Sequence, residues 1–163
     1  MAMKVYVKNR PKNRSLNEIR SLIKFMGEKL KIDNYSVPTV VVIKFINDMQ
    51  KTSGCLANCT WTDDNHLPRE FEIEVDYKDK WPKKTLDRAL IHEMIHVTQF
   101  AKGKMKDMMA PPWYIKWEGK MVPAFKMDYY DHPWEIEAYG REQGFSHKWR
   151  DHNKKLRKRK TIT

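Results

Sequence analysis

The chain has 163 residues, 40% of them hydrophobic and 33% charged, with a formal net charge of +11. That length suits one domain with its own core. No stretch approaches the ~20 apolar residues of a membrane span, so no membrane partner is expected. No apolar run follows the first basic residues, which argues against a secretory signal. Two cysteines, Cys55 and Cys59, make no disulfide framework, and the expected setting is a reducing cytoplasm.

Met3 to Val7 reads as a short strand. Ser15-Leu16-Asn17-Glu18 then carries a capping box, the side-chain pattern that satisfies the free N–H groups of a first helical turn. Leu16, Ile19, Ile23, Met26 and Leu30 follow at helical spacing. The expected helix runs from Leu16 to Lys31, with Lys24, Glu28 and Lys31 toward water and the apolar face on a sheet. Val37 to Phe45 is β-branched and apolar and reads as a central strand. Asn58 to Thr62 reads as another, and residues 63–68 form a turn cluster. Cys55 and Cys59 have a CxxxC spacing, but a metal site there needs two more ligands and only His66 is near in sequence. Two free thiols on or beside a strand are expected.

Arg69 to Tyr77 alternates. Phe71, Ile73, Val75 and Tyr77 take one face; Glu70, Glu72, Glu74 and Asp76 take the other. Two readings fit that acidic face. It is a solvated surface that keeps an edge strand from aggregating, or it borders a cleft and favours basic peptides. Lys80-Trp81-Pro82-Lys83-Lys84 links this strand to the next helix.

That helix spans Thr85 to Ala101, with Thr85 as N-cap, Asp87 in the first turn and Gly103 as the stop. It holds His92-Glu93-Met94-Ile95-His96, an HExxH pattern. One helical turn takes ~3.6 residues, so His92 and His96 share a face and can grip one Zn²⁺. Glu93 lies about 100° around the helix, beside the metal, where its carboxylate can take a proton from a metal-bound water.

Lys104 to Pro133 is irregular and rich in methionine and aromatics, including Trp113, Tyr114, Trp117, Phe125, Tyr129 and Tyr130. These rings fold back on the domain or wall a cleft; a stacking surface for nucleic acid is the weaker reading. Tyr114 to Trp117 and Lys120 to Val122 are expected as short strands around Glu118-Gly119. Pro133 then suits the first turn of a last helix, on which Glu135, Ala138, Tyr139 and Glu142 share one face. A catalytic zinc takes three protein ligands and leaves one position open. Glu135 is the expected third ligand, with small Ala138 permitting close approach of the two helices; Glu137, His132 and His147 are the alternatives. Tyr130, His132 and Tyr139 are candidates to stabilise an oxyanion.

The charge is unevenly placed. His147 to Lys160 holds eight Lys or Arg against Asp151, or +7. The last helix is expected to run through Trp149 to Leu156 and then fray. Residues 1–153 make the domain and residues 154–163 a basic tail, either a plain solvated terminus or a phosphate-binding arm for nucleic acid.

The pairing of HEMIHVTQ with PWEIEAYGRE resembles the compact HExxH metallopeptidases of the zincin clan, including SprT-like proteins and small forms found in phages and bacteria. The likeness covers residues 85–102 and about 129–142, with weaker support from Trp117-x-Gly119-Lys120. It implies an α+β zincin-like fold: an N-terminal helix, a small mixed or antiparallel sheet, the HExxH helix and a C-terminal ligand-bearing helix. It implies hydrolysis of peptide bonds in a protein or peptide substrate, with Zn²⁺ on His92, His96 and Glu135 and Glu93 as general base. A phage origin would put the chain in the host cytoplasm. SprT proper takes a third histidine and often carries a C-terminal zinc ribbon, which this sequence lacks. The rival expectations are a nucleic-acid-binding protein with a structural or vestigial zinc, and a module that binds a host factor through the aromatic segment.

Overall fold

A computed structural model describes residues 2–77, 82–109 and 111–161. The chain is α+β. Four of its strands form a mixed sheet in the order β1 (Lys4–Lys8), β2 (Val40–Asn47), β4 (Glu70–Tyr77), β3 (Ala57–Trp61). β1, β2 and β4 are parallel and β3 is antiparallel to β4. Helix α1 (Leu16–Leu30) and helix α3 (Lys83–Ala101) pack on this sheet, and the long helix α4 (Pro133–Thr161) packs on both. No helix among the described residues is long and apolar enough to cross a membrane.

The local chemistry explains each element. The Ser15 hydroxyl caps α1 by accepting the Glu18 N–H at 3.3 Å. The Glu18 carboxylate does not complete the box; it pairs with Lys83 and Arg157. Ile19, Leu22, Ile23, Phe25, Met26 and Leu30 are buried, while Lys24, Glu28 and Lys31 are exposed. β2 begins at Val40 and not at Val37, because Pro38 has no N–H to give a ladder and Thr39 turns its hydroxyl to Ile32 C=O at 2.9 Å. Val41, Ile43 and Phe45 then meet Phe71, Ile73 and Val75 in register at the centre of the core.

The acidic strand departs from both expectations for it. β4 is internal, paired by β2 on one side and β3 on the other, so its charges do not guard an edge and its backbone is closed to a peptide. Lys44 of β2 sits 3.7 Å from both Glu72 and Glu74. Asp76 is buried at 3% exposure and accepts the Gln50 N–H at 3.3 Å, from a short helix α2 (Met49–Ser53) that no sequence pattern announces. β3 is the exposed edge on that side, and it packs beside α3.

α3 starts two residues before the expected cap. Pro82 is its N-cap, and the Thr85 N–H already bonds Pro82 C=O at 2.9 Å. Lys80 and Trp81, expected in the preceding linker, lie outside the described residues. Gly103, at φ +68°, ends the helix as expected.

The irregular segment contains a small antiparallel sheet, β5 (Met105–Asp107), β6 (Ile115–Trp117) and β7 (Lys120–Val122). Glu118 and Gly119 turn the β6–β7 hairpin with φ of 46° and 84°, the left-handed pair a tight two-residue hairpin needs. β5 adds a third strand to the two expected there.

α4 continues through Thr161, so residues 154–161 of the basic stretch are helical and do not fray after Leu156. Lysine and arginine are good helix formers, and cations near a helix C-terminus oppose its dipole. Trp149, 2% exposed, anchors α4: its ring lies 5.4 Å from Phe25 of α1, and its Nε1–H donates to Asp87 of α3 at 3.1 Å.

Candidate metal centre

Ala138 has no exposed surface. Its small side chain lets α4 lie close to α3 and brings Glu135 to the HExxH histidines. His92 Nε2 and His96 Nε2 stand 3.1 Å apart. Glu135 Oε2 lies 3.2 Å from the first, and Oε1 lies 3.4 Å from the second. His92, His96 and Glu135 can therefore hold a metal ion.

The hydrogen bonds behind the ligands fix which nitrogens face inward. His92 Nδ1 lies 2.9 Å from Glu142 Oε2, and His96 Nδ1 lies 2.8 Å from Gln99 Oε1. Both partners are acceptors, so each Nδ1 carries the proton and donates it. The two Nε2 lone pairs then converge on each other and on a carboxylate. Such crowding of lone pairs is relieved by a metal ion between them or by a proton on Nε2 that donates to Glu135. Four donors at ~2.0–2.1 Å from a tetrahedral ion are roughly 3.3 Å apart; the His92–His96 separation of 3.1 Å is close to that edge, and Glu135 meets the two imidazoles through different oxygens, at 3.2 and 3.4 Å.

A further shell holds these partners in turn. Arg88 Nε donates to Glu142 Oε1 at 2.6 Å. Gln99 Nε2 donates to Trp134 C=O at 3.0 Å and to Glu137 Oε2 at 3.1 Å, which leaves its oxygen for His96. Partners of this kind set ligand orientation and basicity.

The local field favours positive charge. Burial alone would depress His92, but hydrogen bonds to Glu135 and Glu142 hold it up at about 9. Burial would raise Glu135, yet His92 and His96 bring it down to about 2. His96 is raised, against burial, by Glu135 and Glu93. Glu93 is itself pushed up by burial, opposed by the charges of His96 and His92. The ligands are buried but not sealed. His92, His96 and Glu135 are 8%, 7% and 5% exposed, whereas Leu90, Ile91, Met94 and Ile95 of α3 are at 0%.

The other sequence candidates lie elsewhere. Glu137 faces Gln99 and Lys104. His132 Nε2 meets Ala124 C=O at 3.0 Å, and its ring stacks on Trp134. His147 is exposed beside Arg150. Of the oxyanion candidates, Tyr139 packs on His92 with ring centroids 4.6 Å apart and planes tilted by 60°, and Tyr130 packs on Tyr139. Tyr129 is not among those candidates, yet it is one of the groups that hold the Glu135 carboxyl low, after His92 and His96. Arg88 and Gln99 are further additions to the site. Their signal in the sequence is position: they stand four residues before His92 and three after His96, on the ligand face. Cys55 and Cys59 are free thiols, and His66 instead meets Lys106. His92, His96 and Glu135 are the only such group among the described residues.

Fold and site define the chain as an α+β protein with a buried group of two histidines and one glutamate that could hold a metal ion. Comparison with protein-family models, with curated proteins and with solved structures returns no match to it.

Proposed function

We propose that this chain is a zinc-dependent metallopeptidase with a zincin-like arrangement of its helices and sheet. The observation that carries the reading is the convergence of His92 Nε2, His96 Nε2 and the Glu135 carboxylate, with separations of 3.1–3.4 Å, and Glu93 next to the first of them. Two imidazoles and one carboxylate are a donor set that zinc uses in hydrolytic sites with an open fourth position. When bound, zinc supplies Lewis acidity, polarising a carbonyl oxygen and lowering the pKa of water toward ~7.

The chain's own groups do the rest. Glu142 and Gln99 keep both imidazoles in the tautomer that presents Nε2. Glu93, raised by burial, takes a proton from the attacking water on a carboxylate oxygen and returns it to the leaving amine nitrogen. Tyr139, whose ring packs on His92, and Tyr129 are the hydroxyls we assign as donors to an oxyanion. A substrate peptide pairs with the free edge of β3, the strand beside α3.

Glu93→Gln tests the reading. The variant keeps its metal and loses peptide hydrolysis by at least about a hundredfold, measured on a denatured protein substrate such as casein. Undiminished hydrolysis would remove Glu93 from the mechanism.

A further inference from the structure

The first turns of α3 and the C-terminal half of α4 enclose a cleft of about 710 Å³, separate from the metal-binding group. Six of its lining side chains are cationic: Lys83, Lys84 and Arg88 from α3, and Arg150, Lys154 and Arg157 from α4. Asp87 is the one acid among them, and it is engaged by the Trp149 indole N–H. The α4 cations stand at i, i+4 and i+7, so they share one helix face and spread over roughly 10 Å of axis at 1.5 Å per residue.

We propose that this cleft binds the phosphodiester backbone of nucleic acid, with phosphates held between the two helices. The inference does not rest on the peptidase reading, since it uses neither the metal nor bond cleavage.

Three features select a charged strand over a single small anion or a flat bilayer. The cleft is concave, walled by two helices. Its α4 cations are spread along an axis, which matches a repeating charge; one strand of a duplex presents a phosphate every ~3.4 Å. The six cations of the cleft are also more charge than one phosphate can use, and exposed Lys158 stands beside them on α4, whereas Lys148, Lys155 and Arg159 lie on the far face of that helix. Trp149 lines the cleft but is 2% exposed, so it offers no face for base stacking. Contacts limited to phosphates position a strand without reading its sequence.

Glu18 is an internal competitor at the rim. Its carboxylate lies 2.9 Å from Lys83 Nζ and 3.2 Å from Arg157 Nη2. Such partly exposed pairs contribute little to stability, and a phosphate can replace the carboxylate.

The test is fluorescence anisotropy of the full chain with a labelled DNA duplex of mixed sequence, across a salt series. Lys84→Glu combined with Lys154→Glu reverses two charges in the cleft. Lys116→Glu combined with Lys120→Glu makes the same charge change on the β6–β7 hairpin. Arg88 is left alone because it holds Glu142. The cleft pair is expected to weaken binding by at least about tenfold at low salt, and to flatten the log–log salt slope by about 0.9 for each phosphate that is no longer neutralised. The hairpin pair is expected to change affinity less than about twofold, and Glu18→Gln to tighten it, because a competing charge is gone. Equal losses in the two pairs would overturn the proposal in favour of general attraction to a basic chain. So would cleft-dependent binding of inorganic phosphate, or of phosphatidylserine vesicles, without binding of the duplex.

Discussion

Glu142 Oε2 lies 2.9 Å from Nδ1 of His92, and Arg88 Nε holds the other oxygen of the same carboxylate at 2.6 Å. The group of His92, His96 and Glu135 is thus tied to α4 twice, by Glu135 itself and by Glu142 two helical turns later. Glu142→Ala should lower zinc affinity by about 10–100-fold while far-ultraviolet circular dichroism stays that of wild type. Competition with a chromophoric chelator measures the affinity. An unchanged value would mean that His92 needs no partner at Nδ1.

Gln99 supports the other histidine and also joins α3 to the start of α4 through Trp134 C=O. It is 2% exposed, so its amide cannot be replaced by water at no cost. Gln99→Leu is expected to destabilise the fold by about 1–3 kcal/mol, the usual cost of stranding buried polar groups, and to weaken zinc binding as well. Urea unfolding and the chelator assay read the two effects separately.

How much of the fold and site is legible in the sequence depends on distance along the chain. The Ser15 cap, the alternation of Phe71, Ile73 and Val75, and the one-turn spacing of His92 and His96 are local patterns with a fixed period, and the elements they predict are present. Glu135 follows from the faces of two helices and from the need of zinc for a third ligand, and the structure places it against both histidines. Strand order is not legible. Nothing in residues 70–77 reveals that β3 adds to the outside of β4 and makes an acidic strand internal. The helical state of residues 154–161 is masked by the charge run, because solvated lysines look alike in a helix and in a coil. Glu142 falls on the ligand face by spacing alone, but its partner at His92 Nδ1 depends on how closely α4 packs, which no spacing rule supplies.

Asp87 gives a test by pH. Burial pushes its carboxyl above the ordinary range, opposed by the hydrogen bond from Trp149. A raised carboxyl means that the folded chain binds this proton more readily than the unfolded chain. Stability is therefore lost as pH rises from the unfolded pKa, about 3.9, through the folded one, and the loss is complete above it. Asp87→Asn keeps an acceptor for the indole N–H and removes the buried charge. The variant should be more stable than wild type at pH 7, with the difference shrinking as pH falls toward 4. Urea midpoints at pH 7, 5.5 and 4.5 check this; a difference that grows on acidification would reverse the assignment.

The central claim is that His92, His96 and Glu135 hold one zinc ion. The direct measurement is elemental analysis of purified protein after zinc reconstitution and desalting, for wild type and Glu135→Ala side by side. The account predicts about one zinc per wild-type chain and a sharp fall in the variant. Zinc retained in the variant, or no zinc in wild type, would contradict it.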